Sequence, residues 1–438
     1  MQSRGSLLLL CQHFYPELVS TGLNMTELAR ELAARGWSVE VCCARPEAVW
    51  DRHSQVPESE VYHGVNIKRV RGVGAHRGSI WSRLLFALSY MLGAARYTVR
   101  QRKATDTIIA TTNPPFIGLV AVVMRLLFHV PYIVVVHDVF PEIAVRLKLI
   151  RSGSWIEAAW RVLRNCVLRN SECVVVIGRD MKNVIDKVLS DNGPSVEIIP
   201  NWSDERTIRP VPRSENPFVQ EHGLGERLVV QYSGNMGRTH NLECLLDAAE
   251  MLQSDERVVF QFVGDGAKRL NLEALASAKG LRNVQFLPYQ PYERLPYVLS
   301  AAHLAVVVLE SGFEGLSVPS KTYAVMAAGI PVLGLLAPMS EIGRTIEENE
   351  CGVVISDATG AKVAAVVSEL TTNPGRFREM GSNGRNAFLA KYSLAIAVEG
   401  YVGALEKIVK HPEGCPGLRS QGYEHEISVA HSDNTSRS

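Results

Sequence analysis

No Asp-x-Asp pair occurs anywhere in the 438 residues, and no His, Cys, Asp or Glu cluster has metal-ligand spacing. A divalent cation clamping phosphates therefore finds no support, and no cofactor is expected. An excess of charge of one sign is also missing. With 46 Lys and Arg against 45 Asp and Glu, nothing argues for nucleic acid as a partner or for a steering field. The eight cysteines form no CxxC pair and lie scattered through apolar segments, as reduced core residues of a cytosolic protein do. The apolar run 7–11 is too short for a signal peptide and leads into a polar loop, so it is expected to be a first strand. Residues 116–136 have about the length of a membrane-spanning helix, but Arg125, His129 and Pro131 interrupt them. A helix, a turn at Pro131 and a buried strand Tyr132–Val136 explain the run better. A dinucleotide fingerprint is absent as well, because Gly264 and Gly266 are followed by Arg269 where a third glycine would stand.

What is present is an alternation of short β-branched runs with helical patterns. Runs at 7–11, 38–42, 107–110, 132–136, 173–177 and 197–199, with a helical pattern at 24–35, are the signature of βαβ units and a parallel sheet. A polar stretch at 201–225, holding Pro210, Pro212 and Pro217, interrupts the series, which restarts at 228–232 and continues to 352–355. One hydrophobic core would be unusually large at this length. The predicted organisation is α/β throughout: an N-terminal Rossmann-like domain over 1–205, a linker over 206–225 and a second Rossmann-like domain over 226–392. A C-terminal helix at 393–410 and a polar tail at 411–438, expected to be disordered, complete it. Two doubly wound parallel-sheet domains bind ligands in the cleft between them, at the carboxyl ends of the strands.

Four segments at those ends carry candidate chemistry. In 312–334, GFEGLSVPSKTYAVMAAGIPVLG, Pro319 suits the first turn of a helix, Ser317 is the expected cap, Gly329 ends the helix and Pro331 forbids its return. Such a helix directs unsatisfied N–H groups and partial positive charge at the loop 314–318, with Lys321 in its first turn, and an anion would sit there. An ordinary capped helix gives the same spacing. In the loop 13–24, before a helix expected to begin near Asn24, Ser20, Thr21 and Gly22 could offer backbone N–H groups to an anion. His137 and Asp138 stand at the end of the strand 132–136, where functional side chains tend to lie, although a lone histidine is more often structural. After 228–232 comes SGNMGRTHNL, in which Gly234 and Gly237 allow a tight turn, Asn235 follows the first glycine and Arg238 brings charge.

Residues 80–95 set Trp81, Leu84, Leu85, Leu88, Met91 and Leu92 at helical spacing, flanked by Arg77, Arg83, Arg96, Arg100, Arg102 and Lys103. A membrane surface would accept this basic-edged helix over 80–103, and packing on the protein's own sheet gives the same pattern.

Taken in order, HFYPE…STG, HDVFPE, IPNWSDERTIRP, YSGNMGRTHNLECLLDAAEML, FVGDGAKRLNLE and FEGLSVPSKTYAVMAAGIPVLG resemble a retaining glycosyltransferase of family 4 with the GT-B fold. The resemblance runs from His13 to about Lys410. It is nearest in kind to enzymes that build bacterial exopolysaccharide, capsule or O-antigen, the colanic-acid type among them. It implies two Rossmann-like domains facing a cleft, with C-terminal helices crossing back to the first. It also implies a nucleotide-sugar donor, a glycan or polyprenyl-diphosphate-linked acceptor, retention at the anomeric carbon, and a cytoplasmic location at the inner face of the membrane. Position by position, Glu314 matches the first motif glutamate near the donor sugar, with Gly315, Leu316, Ser317 and Val318 facing the donor. His137 matches the strand-end histidine, Asp138 lies beside it, and Thr21 and Gly22 match the glycine loop near the diphosphate. Two positions depart: Ala324 stands where a ribose-binding glutamate is usual, and Gly234-Asn235 replaces the usual Gly-Arg. Arg238 and Lys321 are then the candidates to neutralise the leaving diphosphate. A nonhydrolysing nucleotide-sugar epimerase, or a catalytically silent nucleotide-sugar-binding subunit, would share much of this pattern.

Overall fold

Strands rich in Val and Ile, buried on both faces, organise the molecule. The computed structural model describes residues 4–17, 20–46, 56–73, 80–190 and 193–410. The first sheet contains β1 (Ser6–Leu10), β2 (Ser38–Ala44), β3 (Ser59–Tyr62), β4 (Val65–Val70), β5 (Thr107–Thr111), β6 (Tyr132–Val136), β7 (Cys173–Val176) and β8 (Ser195–Ile198). Their order is β3-β4-β2-β1-β5-β6-β7-β8, parallel apart from β3 at one edge. The second sheet, all parallel, has β9 (Leu228–Ser233), β10 (Val258–Val263), β11 (Val284–Leu287), β12 (Leu304–Val308), β13 (Val332–Leu335) and β14 (Gly352–Ile355), in the order β11-β10-β9-β12-β13-β14.

Helices cover both sheets. Those up to the first domain's end are α1 (Ser20–Ala34), α2 (Ile80–Gln101), α3 (Gly118–Phe128), α4 (Glu142–Arg146), α5 (Trp155–Arg169) and α6 (Arg179–Leu189). Then come α7 (Pro217–Glu221), α8 (Glu243–Met251), α9 (Arg269–Ala278), α10 (Leu295–Ser300), α11 (Lys321–Ala327), α12 (Glu341–Glu348), α13 (Gly360–Thr372), α14 (Pro374–Lys391) and α15 (Leu394–Lys410). Alternate residues of the first sheet feed two cores. Leu8, Ile108, Val134 and Val174 pack with α2, α3, α5 and α6, whereas Leu7, Ile109, Ile133 and Val175 pack with α1 and α15. The C-terminal helix therefore does cross back to the first domain, with Tyr401 edge-on to Trp202.

Several boundaries differ from the sequence expectation. The first helix begins at Ser20 rather than near Asn24, so Ser20, Thr21 and Gly22 form its first turn. The strands β3 and β4 were not anticipated, because the alternating charge of VNIKRV hides β4, whose Val65 and Ile67 are buried. Within the polar stretch 201–225, Phe218, Val219 and Leu224 are buried among Val229, Val259 and Val263 of the second domain. Ser317 does not cap the 321–327 helix: it forms a bridge to Asp138, and Ser320 holds the cap position without a side-chain bond to the helix's N–H groups. Gly329 does end that helix, at φ +70°. The tail 411–438, Arg77 and the side chains of Trp81, Arg83 and Leu84 lie outside the described residues. No described helix is long and apolar enough to cross a membrane.

Candidate functional site

The two domains meet along a seam and around a pocket. In the seam, the chain leaving β6 pairs with the loop before α11: Val139 N–H donates to the Leu316 carbonyl at 2.9 Å, and Asp138 bridges to Ser317. Asp180, at the start of α6, accepts from the N–H groups of Gly315 (2.9 Å) and Glu341 (3.0 Å). Arg179 binds Glu341 at 3.0 Å and Glu348 at 2.7 Å. The N–H groups of Leu316 and Ser317 are satisfied by the Phe313 carbonyl. So three of the four donors in Gly315–Val318 are engaged within the protein, while the side chains of Leu316 and Val318 are buried in the core. Glu314 folds its carboxylate back onto Gly312 N–H at 2.7 Å.

His137 follows β6 directly, its N–H held by the Thr112 hydroxyl at 3.1 Å. The ring is buried and its Nδ1 has no partner. Burial pushes its pKa down to about 4, so at neutral pH it is an uncharged imidazole able to bind a hydroxyl. Burial raises the Asp138 carboxyl, opposed by the hydrogen bond from Ser317.

The pocket is a cavity of about 220 Å³ lined by both domains, with Ser20 and Asn24 from α1 facing Gly234, Ser320, Lys321 and Ala324. The Ser20 and Ser320 hydroxyls are 2.6 Å apart. Gly22 allows the first turn of α1 to sit tightly on the preceding loop, since a Cβ there would lie 2.5 Å from the Glu17 carbonyl. Lys321 is the anomaly. Its Nζ is buried without a hydrogen-bond partner, 3.7 Å above the centre of the Tyr232 ring. Gly234 lies beside it at φ +132°, a backbone conformation that side-chain-bearing residues rarely adopt, and a Cβ there would only come into ordinary contact with the ammonium at 3.5 Å. Desolvation lowers the ammonium from its usual 10.5 to about 7. A ring face offsets only part of the cost of burying a cation, and an anion would offset the rest.

Tyr232 extends this site. Its hydroxyl lies 2.7 Å from His240 Nδ1 and 2.6 Å from the Asn235 carbonyl. Burial, then the nearby Lys321 charge, push His240 down to about 4. Asn235 thus contributes its backbone, while Arg238 is exposed. Ala324 lines the cavity with a methyl group where the resemblance implies a carboxylate. Thr21 does not line the cavity; its neighbours Ser20 and Asn24 do. Among the described residues, no group of three or more His, Cys, Asp or Glu could hold a metal ion. Sequence reasoning missed the parts played by Tyr232, Ser320 and His240. The glycine after β9 was the available signal, because a glycine at the carboxyl end of a parallel strand marks a turn where ligand-binding groups gather.

Comparison with known proteins agrees with this geometry. The model for a glycosyl transferase 4-like domain matches residues 22–202, and that for glycosyl transferases group 1 matches 214–387. The chain is 28 % identical over 318 residues to "Probable glycosyltransferase WbjE" of Pseudomonas aeruginosa, covering 73 % of this chain and 78 % of the relative. It is 27 % identical over 351 residues to "Putative colanic acid biosynthesis glycosyl transferase WcaI" of Escherichia coli K12, covering 76 % and 84 %. Among solved structures, sucrose-phosphate synthase from Thermosynechococcus elongatus superposes with a TM-score of 0.75 at 17 % identity, over 93 % of this chain and 100 % of that one. Anabaena HepE in complex with UDP gives 0.69 at 14 %, over 92 % and 100 %. At such identities these structures share the fold alone. The two matched domains, in this order and on two facing parallel sheets, make the chain a member of the family 4 glycosyltransferases of GT-B fold.

Proposed function

We propose that this glycosyltransferase moves a sugar from a nucleotide-diphosphate donor to a growing, lipid-linked glycan in cell-surface polysaccharide biosynthesis, on the cytoplasmic side of the membrane and with retention. One observation carries the donor assignment: an unpaired lysine ammonium buried in a cavity between the domains, which a diphosphate would neutralise. The name of the WcaI relative supports the polysaccharide, and HepE, which shares the fold and was solved with UDP, makes UDP the first nucleotide to test. The helix α2, with its exposed Leu85, Leu88 and Leu92 followed by exposed Arg96 and Arg100, supports an acceptor carried by the membrane.

In the proposed reaction the acceptor hydroxyl attacks the anomeric carbon from the face the diphosphate leaves. The new carbon–oxygen bond forms as the sugar–phosphate bond breaks, and the departing phosphate oxygen takes the hydroxyl proton. Negative charge gathers on the diphosphate, where Lys321 stabilises it without a metal. The neutral imidazole of His137 and the carboxylate of Glu314 orient sugar hydroxyls; Gly234 borders the diphosphate path, and the backbones of Gly22 and Asn235 shape the turns beside it. No carboxylate acts as nucleophile.

The test is transfer from a panel of nucleotide sugars to a lipid-linked acceptor, with the product's anomeric configuration read by NMR. Retained configuration is expected. An inverted product, or a covalent glycosyl-enzyme trapped on Glu314, would sink the mechanism, and an epimer formed from donor alone would favour the isomerase.

A further inference from the structure

Three glutamines stand side by side in the second sheet, where buried parallel strands are otherwise apolar. Gln231 of β9, Gln261 of β10 and Gln285 of β11 are paired in register. Gln231 and Gln261 are each 1 % exposed, among valines and phenylalanines. Their amides form a ladder: Gln231 Nε2 donates to Gln261 Oε1 at 2.8 Å, and Gln261 Nε2 donates to Gln285 Oε1 at 3.2 Å. Gln231 Nε2 gives its other hydrogen to the Val298 carbonyl of α10 at 3.0 Å. A carbonyl only accepts, so Val298 fixes which end of the Gln231 amide is nitrogen and, through the chain of bonds, orients the other two. Both hydrogens of Gln231 are thereby used, and its Oε1 is buried with no donor. A buried acceptor left open costs stability, and a ladder that fixes its orientation points to a group that donates to it.

Gln231 borders the cavity between the domains, and so does Lys321. Among the described residues, these are the two cavity-lining side chains with a buried polar atom that lacks a partner. One needs an acceptor and the other a donor, yet they do not serve each other. Successive residues of a strand face opposite sides of the sheet. Tyr232 carries the Lys321 ammonium on one side, and Gln231 meets Val298 of α10 on the other. A ligand that satisfies both reaches around the carboxyl end of β9, with an anionic end at Lys321 and an N–H at Gln231. A nucleoside diphosphate has that form, and Leu295, Leu299 and Val306 in the cavity wall suit a flat base. Uracil and thymine in a nucleotide carry a single N–H, at the ring nitrogen between two carbonyls, which matches a single open acceptor. In cytosine the same nitrogen is bare and would set lone pair against lone pair, while an amino group would leave its second hydrogen against the apolar wall. Gln290 also lines the cavity; its Nε2 uses one hydrogen on the Pro288 carbonyl at 3.1 Å and keeps one for a base carbonyl.

We propose that Gln231 selects the donor's base: its Oε1 accepts the single N–H of a uracil or thymine, and Gln261 and Gln285 are positioning residues that hold that oxygen ready. This deepens the nucleotide-diphosphate donor of the proposed function and rests on that reading. Lys321 meets the phosphates whatever the base, so the choice among nucleotides falls to the other end of the cavity.

The test is calorimetric binding of UDP, dTDP, CDP, GDP and ADP to the full chain, alongside Gln231→Met and Gln261→Met. In the wild type, UDP or dTDP is expected to bind about tenfold or more tightly than CDP, which has the same shape. Gln231→Met should bring that ratio to within about threefold by weakening UDP or dTDP and leaving CDP unchanged. Gln261→Met should lower the ratio too, although it cannot touch the base, because it frees the Gln231 amide to turn. Should Gln231→Met fail to fold, the wild type decides alone: a methyl group on the ring nitrogen of UDP should weaken binding about tenfold or more. CDP, GDP or ADP bound as tightly as UDP and dTDP, methylation without effect, or a preference undiminished in Gln231→Met would each overturn the proposal. Binding of none of the five diphosphates would instead sink the nucleotide donor itself, and this proposal with it.

Discussion

Along the seam, Asp180 is met by two N–H groups and Leu316 by Val139, and Arg179 is bound to two glutamates. In the pocket, a lysine ammonium lies over Tyr232 with no acceptor at all. Both regions lie between the same two domains and both include residues of the segment 312–334. In the seam the charges of Asp180 and Arg179 are met by the protein's own groups, whereas the Lys321 charge in the pocket would be met only when something anionic enters. Charges paired within the protein mark a structural joint, and a buried charge left without a partner marks a place for a ligand.

The sharpest way to break that comparison is Lys321→Met. Turnover should fall by about 10²–10³-fold if Lys321 meets the developing diphosphate charge. The same change should make the unliganded protein more stable. The folded-state value of about 7 lies below the usual 10.5. Between these values the unfolded chain holds a proton that the folded one does not, so stability rises with pH across the window and the penalty is complete below pH 7. The gain in melting temperature should thus be largest near pH 6, where differential scanning calorimetry would detect it. A destabilised, active variant would put Lys321 among the structural residues.

A smaller effect concerns affinity. UDP pulls the lysine back toward its charged form, so its dissociation constant should weaken by up to about tenfold per pH unit above 7. Binding should also take up a proton, measurable by calorimetry in buffers of different ionisation enthalpy. A flat profile between pH 7 and 9 would disconnect Lys321 from the phosphate.

The smallest catalytic effect belongs to the seam. Asp180→Ala leaves the Gly315 and Glu341 N–H groups unpaired and should cost about 1–3 kcal/mol of stability, with less than tenfold change in UDP affinity. If it abolished UDP binding as Lys321→Met is expected to, seam and pocket would form one functional unit.

The legible parts of this molecule were those written in local pattern. The valine run of β6 and the turn at Pro131 specified a buried strand after a short helix, and Gly329 marked a helix end at φ +70°. Lys321 was also legible, because a cation in a helix's first turn opposes the helix dipole and invites a reason. What could not be seen was produced by long-range approach. Tyr232 lies 89 positions from Lys321 and reads as one more aromatic at the end of a strand, while Ser20 and Ser320 meet across 300 residues.

The return of α15 to the first domain means that the polypeptide passes between domains twice. The two passages lie against each other: Ser203 N–H donates to the Tyr392 carbonyl, and Leu394 N–H to the Ser203 carbonyl at 3.0 Å. Paired strands of chain behave as the spine of a book rather than as a single thread. Twisting or sliding of one half against the other would have to break these bonds, whereas hinging about the line through them would not.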